Sequence, residues 1–456
     1  MMAAPDPAAG VPRPTVRPAA PWDFPSPRVD LFDNGLHALT FHTPGQHVLS
    51  LRLAIPAALA AEPAGREGVG VLTARLLDEG SDGHDAEAMA ELLQRHGVAF
   101  GAGVVDRGFL IEVDVTRRHL VRALELLREM LQEPAFDQAQ VRRHVRTRLA
   151  EIEQEHTNPG SRAAIAFVAA YYDQAHRLSK PTGGTASSVS ALTPEHLREH
   201  HARAFRPEGS VLAIAGDVEG MDITGAVAGV LQGWSAAASG GPGDGGPADA
   251  VSGGRIVLVD RPGSVQSELY LGCAGPDRLS ASQWAPFPVL GFIMGGGPTA
   301  RLDAVLREER GYTYGMRCGF RPRRGEGLFL TSGSVRADVT AEALEIALDV
   351  LDSGRDGFTA QEVAEGVEYL CETAPGRFAT ADAVADEAVS RALEGQTTRE
   401  TSRTLAEMRS LTPERLTSAY GEYVNGEWVS VVVGDAASLQ DKLVALGRGP
   451  VEVLPA

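Results

Sequence analysis

The string Leu-Thr-Pro-Glu occurs twice, at residues 192–195 and 411–414, and each copy leads through a polar turn into an apolar strand that ends Gly-Asp, at Gly216-Asp217 and Gly434-Asp435. Thr193 before Pro194 has the form of a helix start: the hydroxyl caps, and proline suits the first helical position, where its missing N–H would have no partner anyway. The copies lie about 218 residues apart, which makes the chain two tandem copies of one α+β domain. A chain of 456 residues is also too long for one ordinary core.

The rest of the sequence is read around that repeat. Residues 1–25 form a Pro/Ala-rich arm expected to be disordered, 26–234 an N-terminal domain, 235–253 a Gly-rich linker containing GGPGDGGP, and 254–456 a C-terminal domain. Residues 29–56 read as a hairpin-like pair of strands with turns at Asn34-Gly35 and Pro44-Gly45. Helices are expected at 69–77, 85–96 (stopped by Gly97), 117–131, 137–156 and 161–173, and strands at 99–105, 108–115 and 210–217. Beyond the linker, strands at 255–260 and 266–272 precede helices near 340–352, 359–370, 379–393 and 399–407. A net charge of -18 argues against a nucleic-acid partner. The N-terminus has no apolar secretory core and no run of 18 apolar residues suggests a membrane span, so a cytoplasmic protein is expected. Cys273, Cys318 and Cys371 have no metal-ligand spacing and read as free buried thiols.

The stretch richest in chemistry is 294–320, MGGGPTARLDAVLREERGYTYGMRCGF. Gly295, Gly296 and Gly297 end an apolar run and permit close approach of an extended peptide. A helix-like segment follows with Leu302, Val305 and Leu306 at helical spacing, Gly311 stops it, and a Tyr-rich strand-like run begins. Arg307 thus sits in a last helical turn and Tyr314 just past the turn, where a guanidinium fork and a phenol can both address one oxygen. The plain alternative makes Arg307 a surface residue and Tyr314 a packing residue. Arg317, Arg321, Arg323 and Arg324 form a cationic cluster that either holds acidic groups of a peptide or is a solvated turn.

This stretch resembles the C-terminal domain of the pitrilysin/insulinase-like (M16) inverzincin metallopeptidases, of the processing-peptidase type built from paired subunits. The resemblance implies two homologous domains, each a mostly antiparallel sheet packed with helices. It also implies that Arg307 and Tyr314 hold the substrate and stabilise an oxyanion, with Gly295, Gly296, Gly297 and Arg317 touching the peptide. Active members carry His-x-x-Glu-His on the first helix of the first domain, and a glutamate from a later helix completes the zinc site. Alignment through Gly68 and Gly80-Ser81 places Val71 and Arg75 in the histidine slots and Ala74 in the base slot. None of these can ligate zinc or move a proton at neutral pH. Arg142 falls near the third slot, although an insertion would bring Glu151 or Glu153 there instead.

A literal His-x-x-Glu-His does occur, at His196, Glu199 and His200, but in the repeat it corresponds to residues 415–419, late in the domain. Three readings follow. In the first, the chain is the non-zinc subunit of a heterodimeric peptidase, inactive alone, binding no cofactor itself and supplying Arg307 and Tyr314 to a zinc-bearing homologous partner. In the second, it is a catalytically idle peptide-binding or structural paralogue. In the third, it is an autonomous zinc peptidase using His196, Glu199 and His200.

Overall fold

The computed structural model describes residues 22–236, 241, 243, 245–246, 253–278, 283–322 and 327–455. It comprises two tandem α+β domains, each a six-stranded mixed sheet packed by helices. The first sheet contains β1 (Arg28–Leu31), β2 (His37–His42), β3 (Val48–Pro56), β4 (Ala99–Val105), β5 (Gly108–Thr116) and β6 (Val211–Gly216), in the order β1-β2-β6-β3-β5-β4. The second contains β7 (Arg255–Asp260), β8 (Gln266–Gly275), β9 (Arg317–Arg321), β10 (Gly327–Arg336), β11 (Val429–Gly434) and β12 (Val451–Leu454), in the order β12-β7-β11-β8-β10-β9. The strands that end the two Leu-Thr-Pro-Glu repeats, β6 and β11, occupy equivalent central places. Each runs parallel to one neighbour (β2 or β7) and antiparallel to the other (β3 or β8).

Residues 29–56 are therefore not one hairpin. β1 and β2 pair across Asn34-Gly35, but β6 lies between β2 and β3. Its run Leu212-Ala-Ile-Ala-Gly216 is buried along its length, and a strand apolar on both faces belongs in a sheet centre. The Tyr-rich run after Gly311 also differs. It makes a single antiparallel bridge, Thr313 to Val335, and the ladder strand β9 starts only at Arg317, beyond Met316, whose N–H is taken by Asp303.

Helices α1 (Val69–Arg75), α2 (Ala86–His96), α3 (Leu120–Gln132), α4 (Gln138–Thr157) and α5 (Pro159–Tyr171) lie in the first half. Their ends follow local chemistry: Asp85 caps α2 through the N–H of Ala88 and Gly97 closes it in the left-handed region, while Asp137 caps α4 through Ala139. The inner faces of α2 and α3 (Met89, Leu93, Leu120, Leu124 and Leu127) join Leu51, Leu53, Ile111 and Val113 in one core.

The two halves then exchange helices. α5 sets Ala163, Phe167 and Tyr171 against Val257, Val259, Leu328 and Val431 of the second sheet. In return the Ala381–Leu393 helix sets Ala385, Ala388 and Val389 against Phe41, Ala54 and Ala213 of the first. Small residues on the second helix let it approach the strands closely. Polar ties flank the exchange: Arg52 Nε donates to Asp386 at 2.7 Å and Arg107 Nε to the Leu393 carbonyl at 2.9 Å. The Gln46 amide accepts from Ala381 N–H and donates to the Ala379 carbonyl.

Of the expected arm 1–25, residues 1–21 lie outside the described residues. Trp22 and Phe24 are packed: Trp22 stacks on Phe378 with ring centroids 5.8 Å apart, and Phe24 is buried against Phe41. Within the expected linker 235–253, residues 237–240, 242, 244 and 247–252 lie outside the described residues, as do Arg323 and Arg324.

Candidate functional site

α1 is held from its N-terminal end by a buried carboxylate. Glu62 accepts the N–H groups of Gly68 (3.1 Å) and Gly70 (2.8 Å), and Arg177 Nε reaches the same carboxylate at 2.7 Å. Arg177 spends its remaining donors on the carbonyls of Lys180 and Thr182. Burial pushes the Glu62 carboxyl up, against the pull of Arg177 and the two amides. Arg177 lies 115 residues beyond Glu62, with no local spacing to announce the pair.

Along α1, Val71 is half-buried and Ala74 is buried. Arg75 Nη1 meets both oxygens of Glu151 on α4, each at 2.9 Å. Glu151 also accepts from Arg148 Nη1 at 3.1 Å, and Arg148 in turn forks onto Glu155. Burial pushes the Glu151 carboxyl up, but the hydrogen bonds from Arg148 and Arg75 outweigh it and its pKa is lowered. Arg142 is exposed on α4, and of the three candidates for the third slot Glu151 is the one that meets α1. A cationic guanidinium thus lies against the carboxylate, and valine and alanine bring no donor atom. The α1 donor set does not fit zinc.

His196, Glu199 and His200 do lie on a helix, Pro194–Ala204, capped by Thr193. The side chains of Glu199 and His200 are committed to different places. Glu199 pairs with Arg66 at 2.5 Å. His200 packs on Phe109 with centroids 5.9 Å apart, and burial pushes its protonation down to about 4. The neighbouring His201 ring meets the Leu131 carbonyl at 3.0 Å and is likewise pushed down to about 4 by burial.

In the second half, the π-helical turn Phe292–Gly296, which continues the Pro286–Gly291 helix, lies against edge strand β9, as α1 lies against edge strand β4. Gly295 is needed there for packing: a Cβ would come within 2.8 Å of Cys318 Sγ and 2.9 Å of its N. Gly297 is buried and its N–H is used by the Phe292 carbonyl, leaving Gly296 as the exposed glycine of the three. Arg307 lies near the end of a helical segment, Arg301–Asp303 continuing as a π-helix through Ala304–Glu309, with its side chain 48 % exposed beside Glu308 at 3.4 Å. Tyr314 is 93 % exposed. Arg317 is anchored by Nη1 to buried Asp303 at 3.0 Å yet keeps most of its side chain in solvent.

One further group was not visible in the sequence. His42 at the end of β2, Asp217 after β6 and Glu219 bring one ligand-type atom each to within 4.8 Å of one another. This corrects the expectation that the chain has no metal-binding group of its own and leaves zinc to a partner. The physical reason is register: parallel pairing sets His42 opposite Gly216, so residues from opposite ends of the first domain become neighbours.

Two family models match in tandem: "Insulinase (Peptidase family M16)" over residues 37–186 and "Peptidase M16 inactive domain" over 191–370. The chain belongs to the insulinase-like peptidase family M16. An uncharacterized zinc protease of Mycobacterium tuberculosis is 28 % identical over 358 residues, 76 % of this M16 chain and 80 % of the relative. The non-peptidase homolog YmxG of Helicobacter pylori is 21 % identical over 321 residues, 69 % of this chain and 72 % of that one. A crystal structure described as a peptidase M16 inactive domain from Pseudomonas fluorescens superposes with a TM-score of 0.80 at 25 % identity, covering 90 % of this chain and 98 % of that one. The M16 relatives thus include both a named protease and a named non-peptidase. No helix among the described residues is long and apolar enough to cross a membrane.

Proposed function

We propose that this chain is a peptide-binding member of the M16 family that does not hydrolyse its ligand at α1. The observation that carries the reading is the Arg75–Glu151 pair: a guanidinium held by both carboxylate oxygens occupies the contact between α1 and α4. An extended peptide would add to an open sheet edge, β4 beside α1 or β9 beside the glycine turn, using main-chain hydrogen bonds. Tyr314, Arg307 and Arg317 would supply side-chain recognition, the guanidinium groups suiting acidic side chains or a terminal carboxylate.

The test is fluorescence anisotropy with labelled, unstructured peptides, paired with mass spectrometry of the same mixture. Saturable binding is expected, about tenfold weaker in Tyr314→Ala, the loss of a contact aromatic worth ~1.4 kcal/mol, with every peptide recovered intact. Cleavage by the purified chain alone, or no binding at all, would overturn the reading. A second reading, in which Arg307 and Tyr314 are presented to a peptide held by a homologous subunit, is favoured by the 93 % exposure of Tyr314. It predicts a peptidase activity in the mixture of the two chains that collapses with Tyr314→Phe in this one.

A further inference from the structure

We propose that His42, His47, Asp217 and Glu219 form a binding site for a divalent first-row transition ion of the zinc class, and that the ion stiffens the first-half turn that clasps the Ala381–Leu393 helix of the second half. Three chain segments fixed by the first sheet meet there. His42 ends β2, His47 precedes β3, and Asp217 follows β6. His42 Nδ1 lies 3.9 Å from Asp217 Oδ1, and His47 Nδ1 lies 3.8 Å from Oδ2. An ion seated between such atoms needs them to close by a fraction of that separation, and both imidazoles are exposed enough to turn (44 % and 74 %). Asp217 is already oriented, its oxygens accepting the N–H groups of Gly45 (3.2 Å) and Glu219 (3.3 Å). Carboxylate ligands are commonly held by hydrogen bonds of this kind.

The donor set decides the class of ion. Two imidazole nitrogens with two carboxylates suit zinc and its first-row neighbours, whereas calcium and magnesium favour oxygen throughout. Arg117 approaches Asp217 Oδ1 at 3.4 Å and also donates to the Glu219 carbonyl. Its charge opposes an incoming cation and weakens the expected affinity.

The position gives the ion a role. The same turn carries Gln46, whose main-chain carbonyl accepts the Asp217 N–H and whose side chain grips Ala379 and Ala381 at the start of the exchanged Ala381–Leu393 helix. An ion fixing His42, His47 and Asp217 would stiffen the turn from which that helix is held.

The experiment uses the tag-free full chain, stripped with chelator and titrated with zinc chloride by calorimetry, with elemental analysis and thermal unfolding in parallel and magnesium chloride as the control. One zinc per chain and a melting rise of several degrees are expected. Both should be lost in His42→Gln and in Glu219→Gln, exposed changes that leave the ion-free melting point in place. Asp217→Asn should remove binding as well. An unchanged zinc ratio in the His42 and Glu219 variants would place the ion elsewhere and overturn the site. Zinc binding with no melting rise would overturn the clasp, and magnesium binding equal to zinc would overturn the assignment of class.

Discussion

Phe167→Ala offers a sharp test of the helix exchange. The ring belongs to α5 in the first half, yet it is 1 % exposed against the second sheet, with centroids 5.3 Å from Tyr171 and 5.1 Å from Tyr270. Gly272 on β8 leaves it room: a Cβ there would stand 2.4 Å from the ring edge. A buried phenylalanine removes on the order of 200 Å² from water, which at about 25 cal/mol per Å² is ~5 kcal/mol. Alanine keeps a fraction of this and the cavity relaxes in part, so the expected loss is about 4 kcal/mol, within the ~3–5 kcal/mol span of such truncations. Because the halves share helices, the cooperative unit spans both, and at ~2.1 cal/mol/K per residue over about 400 residues that is a melting shift of roughly 5 °C. Hydrogen exchange read by mass spectrometry locates the damage: protection should fall first in β8 and β11, in the half that does not contain the mutation. A shift below about 1 kcal/mol, or a loss of protection confined to the first half, would refute the exchange as a source of stability.

Three further outcomes follow from the ionic groups. Arg177→Met strands the buried Glu62 carboxylate and should destabilise by ~3–5 kcal/mol, while Glu62→Gln with Arg177→Met together should recover much of that in urea unfolding. A double-mutant cycle of Arg75→Ala and Glu151→Gln should give a coupling of only ~1 kcal/mol, since both side chains are about one-third exposed; a value several times larger would mean the pair is drier than its surroundings indicate. The Glu362 carboxyl is lowered from 4.5 to about 2, chiefly by the Arg301 hydrogen bond. A depressed folded pKa contributes stability that is present above 4.5 and lost as pH falls toward 2. Wild type should therefore lose stability across that window, and Glu362→Gln should flatten the loss.

The tandem architecture was legible because its signals are local. Thr193 and Thr412 each cap the third residue onward, at 3.4 Å in both copies, and each is followed by proline at the first helical position. α2 was readable for the same reason, from Asp85 to Gly97. Partnership between distant elements was not. The apolar faces of α5 and of Ala381–Leu393 announce burial, but periodicity does not name the sheet that buries them. Placing β6 between β2 and β3 required the sheet order, and with it came the approach of His42 to Asp217. The residues Val71, Ala74 and Arg75 in the α1 slots are plain from the sequence, whereas alignment leaves the third ligand slot to Arg142 or, with an insertion, to Glu151 or Glu153. Side-chain direction on α4 selects Glu151. The packing need at Gly295 and Gly297 is likewise set by Cys318 and Phe292, neighbours that the run of glycines does not name.

The reciprocal loan of helices has a consequence for how the molecule could be divided. A cut between the halves would leave each fragment holding the cover of the other's sheet and lacking its own. Neither piece would be a self-sufficient protein, and expressed apart each would present a bare apolar face. Produced together, they have every reason to find one another and close as a two-piece molecule.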